Sequence, residues 1–404
     1  MSRTISRGGG VVFFCKFPPP YTGMTIGTQS FSEMVASERE TVVIDTAARS
    51  PTPGRSALSH IRYYLPYAFR YAGKLFDLAR AVRAPSVDTL YIVASPSLHG
   101  HISDVLAVAT ARRHVDHVVA HVHNGNFTDV FERSTVPDWL VGYFRRSVDR
   151  FVFSSTSLSE RCADHLPASK RTTVHNTVDE RVRCTEAEIE EKIRARTERK
   201  KLRIVFLSNM IRSKGYGDVA EAAAILRERS DLRFELDYYG AWNDAGERRE
   251  FEERLEELEL NDVATVHGPV TDRSAIKELL LEADVFVLPT YYPREAQPFA
   301  IVEAMNAGTP VISTRHVSIP EYVHDGRNGY LVSKRSPDQI ADAVSKLADA
   351  SNWARKARAA RTVYENQFSP ADVKRQILAA IAMNRSGPKP SRESGEQGPG
   401  HDSS

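Results

Sequence analysis

From Gly10 to about Asn176, short apolar runs alternate with helix-length stretches. Val11–Phe14, Thr41–Ile44, Thr89–Val93, His117–His121 and Phe151–Phe153 are rich in β-branched and aromatic residues. They are apolar at consecutive positions, the pattern of parallel strands buried on both faces. Turn or capping signals follow several of them: Pro18-Pro19-Pro20, Ser95-Pro96-Ser97 and Ser154-Ser155-Thr156. Strand, connection and strand in this rhythm predict βαβ units and a doubly wound sheet.

The pattern breaks between Asp179 and Lys201, where Glu186 to Lys201 is Glu, Lys and Arg almost without apolar residues. That composition predicts a solvated helix or linker, and it sets a domain boundary. A second βαβ series then starts, with strands at Leu202–Leu207, Phe234–Tyr239, Ala264–His267, Val285–Leu288, Pro310–Ser313 and Tyr330–Val332. Helices are predicted at Asp218–Arg229, Glu247–Leu258, Ile276–Ala283 and Ala300–Ala307. The expected organisation is an N-terminal Rossmann-like domain over 1–180, a charged linker at 181–201, a second Rossmann-like domain over 202–368 and a C-terminal helix at 369–386. A disordered Gly, Ser and Pro tail over 387–404 completes it. Two such α/β domains facing one another make a cleft, and ligands bind such sheets at the strands' carboxyl ends.

Composition narrows the class. The chain has 404 residues, 41% hydrophobic and 26% charged, a soluble mixture long enough for two cores. A net charge of +2 gives no global reason to expect nucleic acid. No stretch of 18 apolar residues predicts a membrane span, and Val11–Phe14 is too short for a signal-peptide core. Cys15, Cys162 and Cys184 are widely spaced and form no CxxC motif, which fits a reducing, cytoplasmic setting.

The candidate chemistry is concentrated in the second series. Glu295 follows the apolar run Asp284-Val-Phe-Val-Leu-Pro-Thr290, in the loop at a strand's carboxyl end. Glu303 lies eight residues on, in the opening turns of the next helix. Carboxylates accept hydrogen bonds from vicinal hydroxyls, so the pair suits a sugar or ribose. The free N–H groups of that helix N-terminus suit a phosphate. By position alone Glu303 is equally a solvated helix residue and Glu295 a loop charge. Lys214 sits in the glycine-containing loop Ser208–Gly217 after the strand Leu202–Leu207, without the spacing of a Walker motif. A third loop, Pro18-Pro-Pro-Tyr-Thr-Gly-Met-Thr-Ile-Gly27, follows the first strand.

Taken in order, these segments resemble the retaining glycosyltransferase family 4, the glycosyl transferases group 1 domain. The resemblance rests on Phe206–Gly215, the E-x7-E pair Glu295 and Glu303, and Glu303-Ala-Met-Asn-Ala-Gly-Thr-Pro-Val-Ile312. Ile319-Pro-Glu-Tyr-Val323, Asp325–Leu331, His121–Phe127 and Val174–Asp179 extend it over nearly the whole chain. The resemblance implies a GT-B fold and retaining sugar transfer from a nucleoside-diphosphate sugar, which is a substrate; no cofactor and no metal are expected. It implies that Lys214 holds the donor diphosphate and Glu303 the ribose hydroxyls, and that Glu295 and His123 flank the transferred sugar. Gly23 is then expected in the loop near the phosphates, and Gln297 and Phe299 on the donor side. Many relatives carry Arg where Asn209 stands, so Arg212 is the expected substitute cation. The usual Gly-Phe-Gly is here Ala296-Gln297-Pro298, and Pro298 lacks an N–H. No Asp-x-Asp occurs anywhere in the chain, unlike transferases that hold the diphosphate through a divalent cation.

The implied acceptor is a growing surface polysaccharide or a lipid-linked glycan. Two other functions stay open: a nucleotide-sugar epimerase, and a non-catalytic nucleotide- or glycan-binding descendant of a transferase. Six histidines fall between His99 and His123, with His121 and His123 expected on one face of a strand. His60–Ala84 combines five basic residues with many aromatics around Pro66, which is expected to interrupt the helix. Such a surface suits an anionic membrane face, and the aromatics equally suit a core.

Overall fold

The computed structural model describes residues 9–19, 21–47, 57–132 and 136–382. The tail expected over 387–404 lies outside the described residues.

The first half contains β1 (Gly10–Cys15), α1 (Gly23–Ala36), β2 (Thr41–Asp45), α2 (Ala57–Ala81), β3 (Val87–Val93), α3 (Leu98–Ala111) and β4 (His117–Val122). It continues with α4 (Asp129–Glu132), α5 (Asp138–Ser147), β5 (Arg150–Phe153), α6 (Thr156–Arg161) and β6 (Arg171–Thr173). The strands form one parallel sheet in the order β2-β1-β3-β4-β5-β6. β1 shows why its sequence does not alternate. Val12 and Phe14 enter one core cluster, while Val11, Phe13 and Cys15 enter another on the opposite face. β6 was not anticipated, because Arg171-Thr-Thr173 is short and polar and sits half-buried at the sheet edge.

The second half contains α7 (Glu186–Glu198), β7 (Leu202–Leu207), α8 (Tyr216–Arg229), β8 (Phe234–Tyr239), α9 (Ala245–Glu257), β9 (Ala264–Val266) and α10 (Arg273–Glu282). There follow β10 (Val285–Leu288), α11 (Phe299–Asn306), β11 (Val311–Thr314), β12 (Gly329–Val332), α12 (Pro337–Ala348), α13 (Ala350–Gln367) and α14 (Pro370–Ile381). Its sheet is also parallel, in the order β12-β11-β10-β7-β8-β9. The strand order reverses between β1 and β3 in the first sheet and between β7 and β10 in the second. Crevices open at such switch points.

Two expectations need correcting. The charged stretch after 181 is not a solvated linker. It becomes α7, whose Ile189, Lys192, Ile193 and Arg196 are buried in the second domain. Lys192 reaches through the core and donates to the Leu280 and Ala307 carbonyls and the Thr309 hydroxyl, at 2.6–3.0 Å. Arg196 and Arg199 face the buried Asp284, at 3.6 and 2.9 Å. Long cationic side chains thus bury their stems while their heads find acceptors. Pro66 does not interrupt its helix; α2 runs through it. The C-terminal helix expected over 369–386 is α14, and it returns to the first domain. Val373, Ile377, Ala380 and Ile381 pack with Val11, Phe13, Tyr91, Val119 and Val152. No helix among the described residues is long and apolar enough to cross a membrane.

Candidate active site

A cavity of about 480 Å³ lies between the domains, within the size of ordinary small-molecule sites. Two loops at the β7/β10 switch point form its floor. The first leaves β7, makes a single 3₁₀ turn over Arg212–Lys214 and ends at Gly215, whose φ is +85°. A side chain there is excluded twice: the left-handed backbone disfavours it, and its Cβ would lie 2.7 Å from the Pro289 ring. The second loop leaves β10 and carries Glu295. Because β7 and β10 are hydrogen-bonded neighbours, the loops meet. Lys214 Nζ lies 2.6 Å from Glu295 Oε2, which also accepts from the Thr290 hydroxyl at 3.0 Å. The ammonium sits 5.0 Å from the centre of the Tyr292 ring. Lys214 and Glu295 are both nearly buried, so the pair is weakly screened.

Glu303 projects from α11 into the same cavity. Arg273, the first residue of α10, donates to Glu303 Oε1 through Nη2 and to Asp179 Oδ2 through Nε, the latter at 2.7 Å. Asp179 belongs to the segment joining the domains, so Arg273 ties the helix carboxylate to that junction. The Arg273 guanidinium holds the Asp179 carboxyl below its ordinary range, against the opposing effect of burial. Pro298 is the N-cap of α11, and no side chain caps its first turn. Its open N–H groups and the partial positive charge of its N-terminus line the cavity with Pro298, Phe299 and Ala300.

The first domain supplies the roof. The β1–α1 loop brings Tyr21, Thr22 and Gly23, and His123 follows β4. The N-terminus of α1 is closed by a reciprocal Thr22–Thr25 capping box. A Cβ on Gly23 or Gly27 would sit 3.1 or 3.0 Å from the Phe299 ring, so both glycines let α1 settle on α11 across the cleft. His123 stacks on His121 with ring centres 3.9 Å apart, confirming their common face, and His121 hydrogen-bonds the Tyr91 hydroxyl through Nδ1. Burial pushes the His123 imidazole down to about 4, so the ring is neutral near pH 7. Its Nε2 is buried and has no partner among the described residues.

The other expected residues divide. Asn209 lines the cavity and is exposed. Gln297 lines it too, but its Oε1 accepts from the Asn176 backbone N–H at 2.6 Å, and Asn176 Nδ2 donates to the Gln297 carbonyl at 3.1 Å. Gln297 therefore fastens one domain to the other, leaving Nε2 without a partner among the described residues. Arg212 does not substitute for the cation missing at Asn209. It is exposed, pairs with Glu250 at 2.6 Å and does not line the cavity. The 3₁₀ turn places Arg212 and Lys214 on different sides of the loop. Arg294 and Arg273 bring the cavity's additional cations instead. The sequence carried no signal for Arg273, because one Arg at a helix start is ordinary. Arg294 adjoins Glu295 in sequence and shares its loop.

Residues 188–363 match the glycosyl transferases group 1 family. Over 187 residues the chain is 28% identical to an Escherichia coli protein named as the colanic acid biosynthesis glycosyltransferase WcaL, covering 45% of each. Over 147 residues it is 32% identical to a Paenarthrobacter aurescens D-inositol 3-phosphate glycosyltransferase, covering 36% of this chain and 35% of that one. The chain thus spans less than half the length of these curated relatives. Solved structures match far more of it. Anabaena HepE in complex with UDP-glucose superposes with a TM-score of 0.68 at 15% identity, over 92% of this chain and 99% of that one. WaaG, a glycosyltransferase involved in lipopolysaccharide biosynthesis, gives 0.62 at 15% identity over 93% and 100%. At such identity the likeness establishes the fold, two Rossmann-like domains facing across a cleft, which is GT-B. Residues 188–363, which match the glycosyl transferases group 1 family, form most of the second half of that fold.

Proposed function

We propose that this protein is a retaining glycosyltransferase. It moves a sugar from a nucleoside-diphosphate donor to a hydroxyl of a growing surface polysaccharide or lipid-linked glycan, without a metal ion. The observation that carries the reading is the joint placement of Lys214, Glu295, Glu303 and the uncapped α11 N-terminus in the interdomain cavity, with His123 opposite. The relatives named for polysaccharide assembly, and the HepE complex with UDP-glucose, agree with this choice of donor and pathway class.

Each part has a task. Breaking the bond between the anomeric carbon and the diphosphate leaves positive charge on the sugar and negative charge on the phosphate oxygens. Lys214, Arg294 and the α11 N–H groups stabilise the departing anion, the task a metal ion performs in other transferases. Glu303 accepts from the ribose hydroxyls, and Arg273 holds its carboxylate in orientation. Glu295 and neutral His123 border the sugar. Retention places the acceptor oxygen on the face the diphosphate leaves, so that the departing oxygen takes the acceptor's proton as the new bond forms. Without ligand, Lys214 is occupied by Glu295, and an arriving diphosphate must take over that ammonium.

The test is a thermal-shift series with UDP, GDP and ADP and their sugars, in EDTA. A ligand at about 100 times its Kd stabilises the native state by about 2.7 kcal/mol. One base should raise the Tm, and Glu303→Ala should abolish the rise. Glu295→Ala should keep the shift and lower turnover. Absence of a shift with every nucleotide overturns the reading. A shift without transfer or donor hydrolysis favours a binding protein, for which the Ala296-Gln297-Pro298 replacement is the observation.

A further inference from the structure

Arg273 has more hydrogen-bonding capacity at the cavity wall than its contact with Glu303 uses. A guanidinium donates from Nε, Nη1 and Nη2 in a planar fork. Nε donates to Asp179 Oδ2 and Nη2 to Glu303 Oε1. Nη1 bonds no atom among the described residues and is not enclosed, although the residue as a whole is only 5% exposed. Glu303 shows the same division. Its Oε1 takes the Arg273 proton, while Oε2 bonds no atom among the described residues and is also not enclosed. Both side chains line the interdomain cavity. An open donor and an open acceptor therefore stand side by side at its wall, coupled through the Nη2–Oε1 bond.

The orientation of that donor is set from the segment joining the domains. Asp179 Oδ1 accepts from the Arg181 backbone N–H at 2.9 Å, so the carboxylate is fixed by its own turn. Its Oδ2 then holds the Nε edge of the guanidinium at 2.7 Å. A planar fork held at Nε and Nη2 leaves Nη1 no freedom to turn away. Ion pairing alone would account for Arg273 between two carboxylates. It does not account for a free N–H and a free carboxylate oxygen left together in a nearly buried pair.

The pair matches a hydroxyl, which both donates and accepts. A hydroxyl facing it gives its proton to Oε2 and takes an N–H from Nη1. Two carboxylates around one guanidinium disfavour a phosphate at the same point. Beyond Arg273, Tyr21 and Ile26 a second space of about 740 Å³ opens, so shape does not close the wall around a sugar. Selection there falls to hydrogen bonds. On the nucleotide-sugar reading above, we propose that Arg273 binds the donor ribose directly, bracketing one hydroxyl with Glu303. Asp179 is its positioning residue. The bracket makes the site select ribonucleotides over deoxyribonucleotides, because a ribose carbon without its hydroxyl leaves both Nη1 and Oε2 unpaired.

The test is isothermal titration calorimetry of the full chain in EDTA, with UDP, GDP and ADP and the 2′-deoxy and 3′-deoxy forms of each. For the base that wild type binds, loss of the bracketed hydroxyl should weaken binding by about 10- to 100-fold, the size of hydrogen bonds to charged groups. Arg273→Gln should weaken the parent diphosphate by about tenfold and leave that deoxy form within about twofold of its wild-type affinity. Arg273→Lys should behave in the same way, because it keeps the charge and loses the fork. Asp179→Asn should weaken the parent by a smaller factor, again without moving the deoxy form. The inference is overturned if wild type binds the parent and both deoxy forms equally, a result that needs no variant to fold. It is also overturned if Arg273→Gln leaves the parent unchanged or weakens parent and deoxy forms alike, as a purely structural arginine would. If wild type binds none of the diphosphates, the transfer reading falls and takes this inference with it.

Discussion

Gly215 and His123 show how much one residue settles in this cleft. Gly215 turns the loop after β7 into α8 with a left-handed backbone against Pro289. Gly215→Ala should cost about 1–2 kcal/mol for the backbone alone, with the Pro289 contact adding to it. Urea denaturation would measure the loss, and the displaced Lys214 should weaken nucleotide affinity as well. His123 makes the domain sensitive to acid. Its imidazole titrates near 4 when folded and near 6.5 when unfolded, because burial penalises the charged ring. Between those values the unfolded chain holds a proton that the native chain lacks, so stability falls as pH drops through that window. Denaturation midpoints at pH 7 and pH 5 should differ by less in His123→Asn than in wild type. Lys214 and Glu295 were legible from loops after apolar strands and Glu303 from the helix start that follows, while His123 was marked by the family resemblance. Arg273 was not, because its value depends on Glu303 and Asp179 reaching it from segments 30 and 94 residues away in sequence.

Among the elements, α7 and α14 depart most from what their sequences suggest. α7 reads as solvent-exposed charge, yet Lys192 lies fully in the core and burial lowers its ammonium to about 7. Lys192→Ala would leave two carbonyls and a hydroxyl short of a donor and open a cavity. The expected cost is about 2–4 kcal/mol, read from chemical denaturation. The strands were legible because consecutive apolar positions mean burial on both faces, whatever covers them. The covering element was not. α14 comes from the end of the chain and seals the β1, β4 and β5 face of the first domain. Truncation after Phe368 should therefore destabilise the first domain, not the second. Hydrogen exchange should show lost protection in β1 and β4 while β7 and β10 keep theirs.

Across the whole molecule, contacts between the domains hold the cleft in its observed geometry. Gly125 donates its N–H to the Arg294 carbonyl at 3.2 Å, and a Cβ at Gly125 would lie 1.9 Å from the Glu295 carbonyl oxygen. Glu321 of the second domain accepts from the Thr156 and Ser157 N–H groups of the first at 3.0 and 2.8 Å. Two backbones this close admit no side chain between them. Gly125→Ala should hold the domains apart, raising the radius of gyration in small-angle scattering. On the proposed function, nucleotide binding should survive in the second domain while turnover falls, because His123 and Glu295 no longer line one cavity.

The sequence by itself determined the two parallel sheets, the loops that carry Lys214 and Glu295 and the helix start that carries Glu303. Burial on both faces of a strand leaves a local record, and so does a loop at a strand's carboxyl end. The tertiary structure alone decided which charges meet. It paired Lys214 with Glu295 across the switch point, gave Arg273 to Glu303, sent Arg212 to Glu250 and folded α14 back onto β1. Those outcomes depend on strand order and on the return of distant segments. Contacts between residues far apart in the chain leave no periodic trace in either segment.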